Sequence, residues 1–260
     1  MNATAASTFE LPLSDDAAWL LGTWSSLEVP FWGTVLLIKL VCERLGLGKK
    51  IQPTKTPPPE LVAKTLRETL LNHALVHPVL IWFTYVPWLK VGGLPVSAVL
   101  PTVAQAAIQV AVWIFVNDTL FYFTHRLLHT RLLYKRFHKQ HHEFHVSIAM
   151  AAEYATPFEA VVSNITPLLV GPVVWTRYVS PVHPLTLWLF FALRIWETCD
   201  AHCGYEMPFP FAFPFSDVKR HDWHHSANNG NYGGFTLFWD WALGTDAWGD
   251  AQKKLKHKAL

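Results

Sequence analysis

The sequence predicts an all-α, polytopic membrane protein with about four to five membrane-embedded helices and a cytosolic, histidine-rich helical cap. Three observations carry that reading: the composition, a series of apolar stretches of spanning length, and histidines crowded beyond the ends of those stretches. Of 260 residues, 51% are hydrophobic, 14% aromatic and only 15% charged, against roughly 25% charged in a typical soluble domain. The net charge of +2, from 21 basic and 19 acidic side chains, is too balanced for a nucleic-acid binder or a disordered acidic tail. Cys42, Cys199 and Cys203 form no CxxC pair, so neither a disulfide framework nor a thiolate zinc site is indicated.

The first sixteen residues lack a basic n-region, so the apolar stretch after them reads as an uncleaved span. Crossing about 30 Å of hydrocarbon takes roughly 20 mainly apolar residues. Trp19 to Val41 meets that length, with Glu28 facing a partner or an interface. Leu71 to Leu89 is the second span, carrying His73 and His77, and Val99 to Phe123 the third and cleanest. Pro157 to Trp175 and Val182 to Arg194 form a fourth and fifth, or a re-entrant hairpin joined at Ser180 and Pro181. Lys and Arg accumulate on the cytoplasmic side of spans. With the N-terminus outside, Lys49, Lys50, Lys55 and Lys64, the cluster from Arg126 to Lys139, and the chain after span five all become cytosolic. Lys90 and Arg177 remain in lumenal turns, and the sequon at Asn2 is lumenal. The stretch Pro53 to Pro59 reads as an extended linker. The expected organisation is a membrane-anchoring region over 1–111, a catalytic region over 112–250 and a basic tail over 251–260.

Eleven of the fourteen histidines lie between His125 and His225. His125 and His129 form HxxxH; His138, His141 and His142 form HxxHH; His221, His224 and His225 repeat HxxHH; His202 stands alone after span five. Residues three and four apart share a helix face, so each group is expected to aim its imidazoles at one point. Spans three and five end on the same side, which allows all four groups to converge. Nine imidazoles exceed the four to six ligands one ion takes, so two metals are implied. Imidazole suits iron, copper, nickel and zinc alike, and spacing does not choose among them. Asp118 (seven residues before His125 on the same helical face), Glu197, Asp200 and Asp222 are candidates for orienting the ligands. The alternative for Asp118 is a helix-end residue exposed to headgroups. The scattered His73, His77, His145, His183 and His257 read as satisfied core or interfacial groups.

The order HxxxH, HxxHH, His, HxxHH resembles the fatty acid hydroxylase superfamily of membrane di-iron oxygenases. The stretches NDTLFYFTHRLLH from Asn117, HKQHHEF from His138, AAEYATPFE from Ala151, ETCDAHCGYEMP from Glu197, and HDWHH followed by GNYGGFTLFWDWALGTD from Gly230 are most similar to its C-4 methylsterol monooxygenase branch. The resemblance covers roughly residues 112 to 250. It implies that the nine patterned histidines ligate two iron ions, with the metal pair itself as the catalytic group. It implies stepwise oxidation of a sterol C-4 methyl by O2, with electrons from NAD(P)H through cytochrome b5 or its reductase. Thr156 departs from the pattern, standing where that branch usually has His. The lipid substrate is expected to enter from the bilayer; the sequence assigns no substrate-binding residue and no separate acid or base. Lys256 and Lys258 resemble a dilysine-type retrieval signal for the endoplasmic reticulum membrane, and a basic tail near anionic lipid is the alternative. Two other readings stay open: a different sterol or fatty acyl hydroxylase or desaturase of the same superfamily, and a transmembrane haem or metal-handling protein. The last predicts histidines paired deep inside two spans.

Overall fold

The computed structural model describes residues 15–85, 97, 99–208 and 217–259. The sequon at Asn2, Lys90 and the end of the basic tail at Leu260 lie outside the described residues. Asp15–Ile38 form α1, prolonged by a π turn over Lys39–Arg44. Pro59–Leu71 form α2; a π turn over Asn72–Val76 leads directly into α3, His77–Tyr85. Helix α4, Val103–Leu128, starts at a capping box in which Thr102 and Gln105 satisfy each other's backbone amides. After α4 come the short α5 (Arg131–Leu133), a π turn over Tyr134–His138, and 3-10 turns over His141–Glu143 and Ala149–Glu153. Then follow α6 (Pro157–Glu159), a π turn, α7 (Thr166–Tyr178) and α8 (Pro184–Ala201). Helices α9 (Val218–Ala227), α10 (Phe238–Ala242) and α11 (Ala247–Ala259) complete the chain. Among the described residues the only sheet is a two-residue ladder, β1 (Lys49–Lys50) antiparallel to β2 (Tyr205–Glu206).

Among the described residues, three helices are long and apolar enough to cross a bilayer: Asp16–Arg44, Val103–Leu128 and Pro157–Tyr178. Their outer faces are apolar, as lipid contact requires: Val29, Leu36, Ile108, Phe115 and Val174 are exposed. The protein is therefore an all-helical, multi-pass membrane protein. The second expected span coincides in its described part with the π turn and α3; residues 86–96 lie outside the described set. The fifth differs at its end. Its helix does not stop at Arg194 but runs on through Glu197 and Asp200 to Ala201.

Helices α1, α4 and α8 run side by side in one direction. Thr23 accepts a hydrogen bond from Trp188 Nε1 near the start of α1 and α8, whereas Cys42 packs with Cys199 and Cys203 where they end. Trp113 of α4 meets Phe190 edge-on at 5.6 Å, and one turn later the Arg194 guanidinium lies over Phe121. Helix α7 runs the opposite way, and a Cβ on Gly171 would stand only 3.3 Å from Trp113, so glycine sets the close approach of α7 to α4. The C-terminal ends of α4 and α8 and the start of α6 consequently meet at one end of the bundle. The patterned histidines are all found there.

Candidate metal centre

The nine histidines form two adjoining clusters. His125, His129, His138, His142 and His224 make one, and His141, His202, His221 and His225 the other; within each, one ring nitrogen per residue lies within 4.8 Å of all the rest. Eight of the nine are buried, His224 and His225 completely, and His129 is half-buried. The rings of His142 and His225 stack across the boundary at 4.7 Å.

Each HxxHH is divided between the clusters, which corrects the expectation that each group aims at one point. His138 and His142 serve the first cluster and His141 the second; His221 and His225 serve the second and His224 the first. The cause is helical geometry. Residues four apart lie nearly above one another, but neighbours in sequence diverge by about 100°. The middle histidine of each motif is thereby turned toward the adjacent cluster, and the two motifs interlock.

Five of the ring nitrogens facing away from the clusters are held by acceptors, whereas Nδ1 of His142 and of His225 is buried without a partner. Nδ1 of His125 donates to the Tyr232 carbonyl (2.9 Å), that of His202 to Thr198 (2.7 Å), that of His224 to Gly230 (2.7 Å) and that of His141 to Tyr154 (3.3 Å). His138 Nδ1 donates to the Glu159 carboxylate at 2.7 Å. A neutral imidazole that donates from Nδ1 keeps a bare lone pair on Nε2. Those Nε2 atoms nevertheless crowd together: His129 to His224 at 3.1 Å, His129 to His138 at 2.9 Å, His138 to His142 at 3.0 Å in the first cluster. In the second, His141 to His202 is 3.2 Å, His202 to His221 2.8 Å and His221 to His225 3.2 Å. Converging lone pairs repel unless a cation lies between them. Ligands about 2.1 Å from one ion stand about 3.0 Å apart at right angles and about 3.4 Å apart in a tetrahedron, close to the observed spacings. Both donor sets thus fit a metal ion. Burial, reinforced by the neighbouring rings, holds His129 down at about 2, and burial holds His141 at about 4. His202, His221, His224 and His225 are likewise pushed well below the usual imidazole range. At neutral pH these rings are uncharged and available as ligands.

Asp118 is buried and accepts from the backbone amides of Gly234 and Thr236 and from the Thr236 hydroxyl. It therefore fixes the loop whose Tyr232 carbonyl holds His125. Glu197 is buried in an ion pair with Arg194 at 2.5 Å, Asp222 accepts from Gln52 Nε2, and Asp200 is buried in the last turn of α8. Glu159, which reaches a ring nitrogen of the clusters directly, is not among the carboxylates the sequence singles out. Its one signal is position, three residues after Thr156. The Thr156 hydroxyl donates to the Phe137 carbonyl at 2.7 Å and caps the Glu159 amide, tying the turn that carries Glu159 to the turn that carries His138. Asp240, wholly buried, accepts from the amides of Tyr232 and Gly233 and the Thr245 hydroxyl and braces the same loop. Of the scattered histidines, His183 caps α8 through the Leu185 amide, and His145 Nδ1 contacts the His225 carbonyl. His73 and His77 are paired with Glu28, the partner expected for an acid inside a span.

Beside the second cluster is a cavity of about 420 Å³, lined chiefly by apolar side chains such as Trp19, Leu80, Ile165, Leu168 and Phe191. Thr198, Ala152, Glu153 and Ala155 belong to its lining. The Thr198 carbonyl holds His202, and Tyr154, whose carbonyl holds His141, stands in sequence between Glu153 and Ala155.

The sequence profile of the fatty acid hydroxylase family matches residues 110–245, which contain every one of the nine histidines. The chain belongs to the fatty acid hydroxylase family. It is 34% identical to the methylsterol monooxygenase erg25B of Aspergillus fumigatus over 85% of this chain and 76% of that protein. Fatty acid hydroxylase domain-containing protein 2 of Homo sapiens is 33% identical over 83% of this chain and 64% of its own length. A very-long-chain aldehyde decarbonylase of Oryza sativa is 32% identical over 89% of this chain and 91% of its own length. No solved structure matches. As a family member the protein is a membrane oxidoreductase with histidine metal sites.

Proposed function

We propose that this protein is a membrane-bound di-iron monooxygenase that uses O2 and two electrons per step to oxidise a sterol C-4 methyl group stepwise to alcohol, aldehyde and carboxylate. The carrying observation is the pair of interlocked imidazole clusters lying against an apolar cavity, in a chain 34% identical to a methylsterol monooxygenase. His125, His129, His138, His142 and His224 would hold one iron and His141, His202, His221 and His225 the other. The chemistry a bound iron pair supplies is O2-dependent oxidation of an unactivated C–H bond. The chain's own contribution is threefold. Carbonyls and Glu159 fix the imidazole tautomers, burial keeps the rings neutral and water scarce, and the cavity wall positions an apolar substrate entering from the bilayer. Electrons are supplied from NAD(P)H through cytochrome b5 or its reductase, which are separate membrane proteins. The basic loops support a cytosolic site and C-terminus, and the dilysine-type tail with Lys256 and Lys258 supports the endoplasmic reticulum membrane.

A second reading within the same chemistry, a long-chain acyl or aldehyde substrate, is favoured by the longer reach of the rice decarbonylase match. One experiment separates them. Protein purified anaerobically is analysed for metal, then incubated with NADH, cytochrome b5, its reductase and either a 4-methyl sterol or a very-long-chain aldehyde, with mass spectrometry of products. The sterol is expected to gain oxygen and the aldehyde to persist; the reverse result transfers the assignment. His141→Ala is expected to abolish turnover while leaving expression largely intact, and surviving activity refutes the ligand assignment. A Soret band in the purified protein refutes the di-iron reading in favour of haem.

A further inference from the structure

A second constellation of ligand-type side chains lies inside the bundle, away from the nine histidines. Glu28 on α1, His73 on the π turn, His77 at the head of α3 and Glu153 on the 3-10 turn meet at the wall of the apolar cavity. Glu28 Oε2 accepts from His73 Nδ1 at 2.5 Å, and Oε1 from His77 Nδ1 at 3.1 Å. Trp32 Nε1 donates to Oε2 at 3.2 Å, which anchors the carboxylate from its own helix. The opposite nitrogens of both rings turn toward a single atom: Glu153 Oε2 is 3.9 Å from His73 Nε2 and 3.7 Å from His77 Nε2. Those distances are too long for hydrogen bonds. His73 is only 5% exposed, and its Nε2 is buried with no hydrogen-bond partner. The two rings lie 4.5 Å apart, centroid to centroid.

This repeats the construction of the nine-histidine centre. In five histidines there, Nδ1 is spent on a carbonyl or carboxylate and Nε2 is left free to converge; here Glu28 occupies both Nδ1 atoms and leaves both Nε2 atoms aimed at one carboxylate oxygen. Ligands of one ion stand about 3.0–3.4 Å apart, so about half an ångström of closure brings the Glu153 oxygen into coordination range of an ion shared with each ring. Two imidazoles and one carboxylate on one side of an ion are a familiar donor set for divalent transition metals, and they leave positions open. The open positions here face the cavity, whose wall includes His73, His77 and Glu153. We propose that His73, His77 and Glu153 hold a third divalent transition-metal ion, with Glu28 orienting both rings, independently of the two ions assigned to the nine histidines. The ion would tie together α1, α3 and the turn before Tyr154, three elements joined at this point only by side chains. The competing state is metal-free, with both rings hydrogen-bonded to Glu28 and their opposite nitrogens facing Glu153.

The test counts ions. Full-length protein in nanodiscs is stripped with a chelator, reloaded anaerobically with Co²⁺ alone, freed of excess metal and analysed for cobalt per chain. The wild type is expected to hold three ions and Glu153→Gln and His77→Gln two each, with the visible spectrum of the lost ion as the difference between wild type and variant. His141→Ala also lowers the count, but by removing a different spectrum, so failure of the nine-histidine assignment and failure of this one are distinguishable. A wild-type count of two overturns the proposal, as does a third ion that survives in both Glu153→Gln and His77→Gln. A variant that loses every ion has lost its fold, which circular dichroism reports; the wild-type count and the remaining variant then decide.

Discussion

Glu159→Gln isolates the one carboxylate that orients a proposed iron ligand. The Glu159 Oε1 atom accepts the His138 Nδ1–H at 2.7 Å, and the residue is only 4% exposed. A hydrogen bond to a charged group contributes about 1.5–3 kcal/mol and one between neutral groups about 0.5–1.5 kcal/mol. The amide keeps an acceptor oxygen but cannot become the charged partner that a cation bound to His138 would favour, so the change is about 1–1.5 kcal/mol, or roughly tenfold in metal affinity. Removing the acceptor altogether in Glu159→Leu moves the loss toward about a hundredfold, the upper end for partners of metal-bound histidines. The loss falls on the five-histidine cluster alone, because His141, His202, His221 and His225 take no bond from this residue. Chelator competition on iron-loaded protein in nanodiscs, read as ions retained per chain, should show one release step shifted about tenfold and the other unmoved. An unshifted curve, or equal shifts in both steps, refutes the argument that Glu159 tunes the first cluster through His138.

Gly230→Ala is expected to lower both thermal stability and retention of the ion in the first cluster. Its φ of +68° and a Cβ placed 2.6 Å from the Thr245 carbonyl leave no room for a methyl, and the Gly230 carbonyl holds His224. Gly33→Ala, which meets nothing within 4 Å on α1, serves as the control and should leave unfolding and ion content essentially unchanged in nanodiscs. Asp246 supplies a pH test. Burial raises its pKa, but hydrogen bonds from Arg220, Asn231 and the Gly249 amide outweigh that and hold it at about 2, below its ordinary 3.8. A depressed carboxylate contributes stability that is complete above the unfolded value and lost as pH falls through the folded one. Wild-type stability should therefore decline between pH about 4 and about 2, and Asp246→Asn should be less stable at pH 7 with a flatter acid limb; parallel acid limbs would refute the linkage.

The histidine positions were legible because metal ligation on helices writes itself in sequence as spacings of three and four. Their partition between two clusters was not, although the 100° divergence of neighbours contains it, because choosing a side requires knowing where α4 and α8 end relative to α9. Glu159 was illegible for a similar reason: it stands 21 residues from His138, and only the fold of the intervening turns, pinned by Thr156, brings them together. The carbonyls of Thr198, Tyr154, Gly230 and Tyr232 carry no side-chain signature at all. Glu28 was read correctly as an acid in need of a partner, yet its partners lie 45 and 49 residues away. The apolar runs located the helices, but charge misled at their edges. Arg194 looked like the end of a span, whereas its ion pair with Glu197 lets α8 continue inward until Thr198 and His202 reach the second cluster.

The clustered histidines all lie in one segment of the chain, whereas the cavity wall extends beyond it, which bears on how one family carries several substrates. All nine clustered histidines fall within residues 110–245, the segment the family profile matches, and proteins named as a methylsterol monooxygenase and as an aldehyde decarbonylase are similar to this chain at 34% and 32% identity. The cavity is not confined to that segment. Trp19 and Leu27 of α1, with His73, His77 and Leu80 of the second helical stretch, make up one wall, and Ile165, Leu168 and Phe191 face them from α7 and its entry turn and from α8. A pocket discriminates between apolar substrates by shape, each methylene being worth about 1–3 kcal/mol. Side chains on α1 and α3 can therefore change which carbon is presented without touching a ligand to either ion. His73, His77 and Glu153 of the polar quartet line that same cavity, so an ion held there would sit against the apolar pocket rather than among the nine histidines.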